Sequence, residues 1–219
     1  MQKLVQGLHK FQRDYFATHQ QLFQQLARRG QRPETLCISC CDSRVIPTLI
    51  TNAEPGELFI VRNIGNMVPQ ISLAGGTAAA IEYAVSVLQV ENVIICGHTQ
   101  CGAMDAVLRP ETVEGLPFVR RWVEQAKGVK EIIQQKYAHL DGAAQLTAAA
   151  QENVLAQLEN LRAFRCVQER LDAGKLLVSG WVFHIEKGMV FDYDPERGEF
   201  APLPSPGVSR DADQPAAAP

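Results

Sequence analysis

Apolar positions recur at near-helical spacing through residues 4–29, at Leu4, Leu8, Phe11, Tyr15, Leu22, Phe23 and Leu26, which places them on one side of an α-helix. Gly30 and Pro33 end the pattern, as helix terminators do. Such an amphipathic arm, preceding any strand, is expected on the outside of the domain or across a second subunit. Three short apolar runs follow at 36–39, 58–61 and 93–96. Unbroken hydrophobicity of this kind predicts strands covered on both faces. Between the second and third lies an alanine-rich helical run, 74–88, opening at Gly75-Gly76. Strand, helix and strand in that order predict a parallel sheet with a right-handed crossover.

Two longer helical patterns follow, about 116–137 and about 151–171, the second with Val154, Leu158, Leu161, Phe164, Val167 and Leu171 on one face. Runs at 176–185 and 189–193, joined by Glu186-Lys187-Gly188, read as a strand pair with a tight turn. Beyond Pro202 the chain turns rich in proline, alanine and aspartate, the composition of a disordered segment. The expected organisation is a helical arm over 1–30, an α/β catalytic domain over 31–202 and a tail over 203–219. Its fold class is α/β, a mostly parallel central sheet flanked by helices.

Composition narrows the function. With 219 residues, 46% of them apolar, and a formal charge of −3, the chain suits one domain with a proper core. It has no basic stripe of the kind nucleic-acid binders carry. No apolar run reaches the roughly 18–20 residues of a membrane span, and Met1–Gly7 lacks the apolar core of a secretory signal, so a cytoplasmic protein is expected. The six cysteines are clustered: Cys37, Cys40 and Cys41, then Cys96 and Cys101, with Cys166 apart. Clustering points to metal or redox chemistry in a reducing compartment, not to a disulfide framework.

The chemistry concentrates in Cys40-Cys41-Asp42-Ser43-Arg44 and His98-Thr99-Gln100-Cys101. Each begins where a predicted parallel strand ends, and ligand sites in open α/β sheets form beyond the carboxyl ends of strands. Cys40, His98 and Cys101 offer two thiolates and an imidazole, a donor set suited to zinc. Three protein ligands leave a fourth position for water, whose pKa a catalytic zinc lowers to about 7. Asp42 lies close enough in sequence to block that position. Arg44 gives it another partner through charge-assisted, bidentate hydrogen bonds, leaving an oxygen to orient the nucleophile. A plain surface ion pair would be worth little.

Cys-x-Asp-Ser-Arg followed by His-x-x-Cys resembles the β-carbonic anhydrase signature. The likeness continues through Glu54-Pro55-Gly56-Glu57-Leu58-Phe59-Ile60-Val61-Arg62-Asn63-Ile64-Gly65-Asn66-Met67-Val68-Pro69, Ala79-Ala80-Ile81-Glu82-Tyr83-Ala84 and Cys96-Gly97-His98. The resemblance implies an enzyme hydrating carbon dioxide to bicarbonate, with one zinc ion per subunit on Cys40, His98 and Cys101 and an Asp42–Arg44 dyad. It implies a homodimer or a higher assembly of dimers. Gln31 would hydrogen-bond substrate, often from the neighbouring subunit, and Phe59, Ile64, Tyr83 and the Gly76 backbone would line the carbon dioxide pocket. The arm and Gly180-Trp181-Val182 look like cyanobacterial, carboxysome-associated members, which brings carbon fixation and carboxysome residence into view. The short tail departs from them.

Two further departures bear on regulation. Cys37 stands where bicarbonate-inhibited members carry tryptophan, so plant-like, constitutively open behaviour is expected. Cys41 replaces the usual serine or alanine and adds a thiol that could compete for metal or oxidise. Relatives with this site can also hydrolyse carbonyl sulfide or carbon disulfide, and a low-activity, effector-dependent assembly protein is the non-enzyme alternative. Cys37-Ile38-Ser39-Cys40 sits inside a strand, not at a helix start, which argues against thioredoxin-like chemistry. Cys96 and Cys166 read as small buried hydrophobes, His9, His19, His139 and His184 as surface or satisfied histidines, and Gly75-Gly76 as close packing beside the site.

Overall fold

The computed structural model describes residues 1–72 and 75–203. The expected disordered tail falls almost wholly outside them, as does Ala74. The arm is a helical segment with a kink at His19 (φ −111°, ψ 16°): α1 (Gln2–Lys10), a π-helical turn (Phe11–Phe16) and α2 (Ala17–Arg29). Leu4, Val5, Leu8 and Phe11 stay exposed on it. Its later half meets the body, where Tyr15 hydrogen-bonds Glu54 and Leu26 packs over Gly56.

Six strands build one sheet in the order β2-β1-β3-β4-β5-β6. β1 (Thr35–Cys40), β2 (Leu58–Asn63), β3 (Asn92–His98) and β4 (Leu177–His184) are mutually parallel. β5 (Met189–Asp194) returns antiparallel through the turn read from Glu186-Lys187-Gly188, and β6 (Glu199–Pro202) adds an edge strand the sequence pattern missed. Between β1 and β2, α3 (Pro47–Thr51) starts on a proline and stops at left-handed Asn52, the positions proline and αL residues favour.

The crossover from β2 to β3 runs through α4 (Gly76–Glu82) and a π-helical turn (Tyr83–Val87), passing over β1. Beyond β3 come α5 (Gly102–Leu108), α6 (Pro117–Val123), α7 (Lys127–Lys136), α8 (Gly142–Arg162) and α9 (Arg165–Asp172). Two expectations are corrected. The helix over 116–137 is interrupted by a 3₁₀ turn at Glu124–Ala126. The helix over 151–171 begins nine residues earlier and is cut at Phe164, whose extended backbone caps α9 while its ring packs on the core.

The interior divides into two apolar clusters that share α8. One joins Leu36, Ile38, Val93 and Ile95 of the strands to Ile81 and Val85, and to Val154, Leu158 and Leu161 of α8. Each such side chain contributes about 1.5–3 kcal/mol on burial. Gly97 and Gly180 let α8 approach the sheet: a Cβ at either would lie 2.8 Å from a Val154 methyl. The other cluster caps the carboxyl ends of the strands with α5, α6, α7 and α8, and includes Cys40 and Cys101. Among the described residues no helix is long and apolar enough to cross a membrane.

Candidate metal centre

Cys40 is the last residue of β1 and His98 the last of β3. These strands are neighbours, so their ends open into one crevice. After His98 the chain makes a tight turn in which Gln100 adopts a φ of 57°, a left-handed conformation uncommon for a side-chain-bearing residue. That turn delivers Cys101, whose extended backbone caps α5. The Cys40 and Cys101 thiols and the His98 imidazole all lie within 4.8 Å of one another, and all three residues are buried, His98 completely.

The imidazole is poised for a cation. His98 Nδ1 lies 2.8 Å from the Thr99 carbonyl oxygen, which can only accept, so Nδ1 carries the proton and Nε2 the lone pair. Nε2 is buried without a hydrogen-bond partner among the described residues. An unpaired buried acceptor is costly; between two thiols, this one fits a divalent metal ion. Hydrogen bonds from the Cys101 thiol and from the backbone N–H groups of Gly65 and Asp42 hold the Cys40 pKa below its ordinary value, against burial. Cys101, bonded to that sulfur and buried, is pushed up, though the Ala103 and Met104 N–H groups oppose the rise. A cation between the sulfurs lets both ionise.

Asp42 stands beside this group, its Oδ2 3.9 Å from His98 Nε2. Arg44 holds it with three bonds: Nε to Oδ1 at 2.9 Å, Nη2 to Oδ2 at 2.7 Å, and the backbone N–H to Oδ1 at 3.0 Å. These bonds hold the carboxyl well below the usual carboxylate range. Arg44 Nη2 also donates to the Gln100 carbonyl at 3.1 Å, tying the two motifs together.

Sequence reading missed what supports them. Arg62, opposite Ser39 in the β1–β2 register, donates to the carbonyls of Cys40, Asp42 and Val45 at 3.1, 2.7 and 2.8 Å. It therefore fastens the whole ligand loop to the sheet edge. Gly65, with a φ of 76°, donates its N–H to Cys40 Sγ at 3.4 Å. Its own carbonyl accepts from Asn153 of α8 at 3.0 Å, and the adjacent Ile64 carbonyl accepts from Trp122 at 2.7 Å. The only sequence signal for these roles is that Arg62 and Gly65 fall inside the family-like segment.

The expected substrate residues distribute unevenly. Ile64 adjoins the Gly65 turn, and Phe59 and Tyr83 pair with ring centroids 6.1 Å apart. Gly76 lines a cleft of ≈ 250 Å³ with Pro69, Thr77, Phe118 and Trp122. Gly75 and Gly76 are not close-packed against the described residues: a Cβ at either would meet none of them within 4 Å. Gln31 is not brought to the ligands within one chain. It sits in a separate cleft with Glu34 and Leu88, before the amino end of β1, whereas Cys40 ends that strand roughly 20 Å away.

The remaining thiols and histidines divide as follows. Cys37 is buried and its pKa is pushed up to about 12 by desolvation. Cys96 is buried, Cys41 exposed and Cys166 half-buried against the core. His184 is 8% exposed, so it is not a surface residue; its ring packs on Phe191 with centroids 4.2 Å apart.

Residues 35–190 match the family model for carbonic anhydrase. A carbonic anhydrase of Synechocystis is 41% identical across 97% of this chain and 84% of its own length. The solved β-carbonic anhydrase CcaA superposes with a TM-score of 0.90 at 41% identity, covering 94% of this chain and 93% of that one. A tetrameric β-carbonic anhydrase of Sordaria macrospora gives 0.73 at 31% identity, over 87% of this chain and 92% of that one. With the fold, the ligand cluster and the Asp42–Arg44 pair all in place, the chain belongs to the carbonic anhydrase family, in its β class.

Proposed function

We propose that Cys40, His98 and Cys101 hold one zinc ion, and that Asp42, fixed by Arg44, works beside it in the family's reaction, the reversible hydration of carbon dioxide to bicarbonate and a proton. The observation that carries this reading is the unpaired Nε2 of His98 between two buried thiols. Zinc, when bound, supplies a Lewis acid at which water ionises near neutral pH. The chain's own residues govern the rest. Arg44 takes both oxygens of Asp42, so the carboxylate is restrained from becoming a further ligand. Held ionised, Asp42 can only accept a hydrogen bond. Its Oδ2 thus orients a reacting hydroxyl with a lone pair free for substrate.

Phe59, Ile64, Tyr83 and the Gly76 backbone form the apolar side that receives uncharged carbon dioxide. Gln31 binds bicarbonate in the site of a second subunit; its separation from the ligands of its own chain supports this reading. Exposed apolar groups support an assembly of dimers, among them Phe118, 89% exposed, Leu116 and Val87; the tetrameric relative points the same way. Residence in the cytoplasm and in a carboxysome rests on likeness to cyanobacterial relatives, and co-purification with shell components tests it.

Metal analysis tests the centre directly. Purified protein should carry one zinc per chain, and Cys101→Ser and His98→Ala should lose it. Asp42→Asn should keep its zinc while turnover falls about a hundredfold or more. Full zinc content in Cys101→Ser would refute the assignment.

A further inference from the structure

The β4–β5 turn contains an exposed carboxylate wired to the metal-site histidine. Glu186 lies two residues past the end of β4, and its side chain is 54% exposed. Its Oε2 nevertheless accepts a hydrogen bond at 2.7 Å from the hydroxyl of Thr99, a residue 1% exposed. Lys187 is next in sequence, yet its ammonium lies 5.5 Å over the Phe191 ring. No arginine or lysine ion pair holds Glu186 among the described residues; its other oxygen lies 3.4 Å from His184 Nδ1.

Thr99 is constrained on every polar atom. Its N–H donates to the Phe183 carbonyl at 3.0 Å. Its hydroxyl oxygen accepts from the Ile185 N–H at 3.1 Å, so the hydroxyl proton is left for Glu186. What remains is its carbonyl, and that carbonyl takes the Nδ1 proton of His98 at 2.8 Å. A run of hydrogen bonds therefore leads from a surface turn to the atom that fixes the His98 tautomer and aims Nε2 at the two thiols.

We propose that Glu186 is a positioning residue of the metal centre, acting through Thr99 to hold His98 as a ligand. The proposal rests on the zinc reading of Cys40, His98 and Cys101. The group that accepts a ligand imidazole's proton sets its orientation and basicity, and its loss typically costs about 10–100-fold in metal affinity; Glu186 acts one bond further out, by fixing the Thr99 that supplies that carbonyl. A hydrogen bond to an ionised acceptor is also about twice as strong as a neutral one. A charged Glu186 thus fixes Thr99 more firmly than the turn's backbone bonds alone.

The test is chelator-driven zinc release from the full chain, with cobalt-substituted spectra and thermal unfolding measured alongside. Glu186→Ala and Thr99→Val should release zinc about tenfold or more faster than the parent and shift the cobalt d–d bands. Glu186→Gln, whose amide oxygen still accepts from Thr99, should stay within about threefold of the parent, as should Thr99→Ser. Parental release and spectra in Glu186→Ala, or equal acceleration by Glu186→Gln and Glu186→Ala, would overturn the proposal. A lower melting temperature with unchanged release would mark Glu186 as merely structural and overturn it too. If the parent protein binds no zinc, it is the reading of the ligand cluster that fails.

Discussion

Gly65 joins the fold to the metal centre, and adding one methyl group there tests the join. It occupies φ 76°, where a Cβ would lie 2.9 Å from the Ala103 Cβ and 3.1 Å from the Met67 Cε. Forcing an L-residue into the left-handed region costs about 1–2 kcal/mol. Inserting a methyl into a filled core costs about 1–3 kcal/mol. The Ala103 contact is with a Cβ, which cannot swing aside as the tip of Met67 can, so both costs apply. Gly65→Ala should therefore lose about 2–5 kcal/mol. For a chain of this size that lowers the melting temperature by about 4–20 °C. The control is Gly115→Ala, where a Cβ meets nothing within 4 Å and the shift should stay within about 2 °C. Calorimetry or circular dichroism at one fixed protein concentration reads both. Since the Gly65 N–H also bonds Cys40 Sγ, zinc content should fall with stability. Equal melting temperatures for the two variants would refute the claim that this turn is sterically closed.

Other outcomes follow from the same geometry. Arg62→Ala strips three carbonyls of the ligand loop of their donor, and kcat/KM per bound zinc should drop about tenfold or more in stopped-flow assays. Stripping zinc should add the Cys40 thiol, which its hydrogen bonds hold below the ordinary pKa, to those a maleimide labels by mass spectrometry. Cys37 and Cys96 should stay unlabelled, because burial pushes both thiols up. The pKa of Glu186 is lowered chiefly by the Thr99 hydroxyl. Its stabilising contribution is therefore complete above the unfolded value of about 4.3 and vanishes as pH falls through the lower folded value. The melting-temperature gap between parent and Glu186→Gln should accordingly be widest near neutrality and close in acid; a gap constant with pH would contradict this.

The cluster of Cys40, His98 and Cys101 was legible because its parts are local. Cys40 and His98 close apolar runs that could only be buried strands, and the Asp42–Arg44 and His98–Cys101 spacings are short enough for one turn to express. What supports the centre was not legible, because register and distant chain meetings decide it. Arg62 matters through its place opposite Ser39, and Glu186 through a hydroxyl 87 residues away in sequence. Helix breaks eluded the pattern for a related reason. No proline or glycine marks Phe164 or Glu124 as an end; the demand that the Phe164 ring reach the core sets the first break. β6 is four residues long and half-buried at the sheet edge, too short to leave a period. Gln31, legible only through family likeness, lies at the wrong end of β1 for the ligand cluster of its own chain.

The most direct test of the whole account is the rate of carbon dioxide hydration, followed by stopped flow with a pH indicator on protein of known zinc content at neutral and alkaline pH. With Asp42 held by Arg44, turnover should rise in proportion to bound zinc at both pH values. Turnover confined to alkaline pH would show Asp42 closing onto the metal in spite of Arg44, and no turnover above buffer at full zinc loading would contradict the assignment of Cys40, His98 and Cys101 as a catalytic centre.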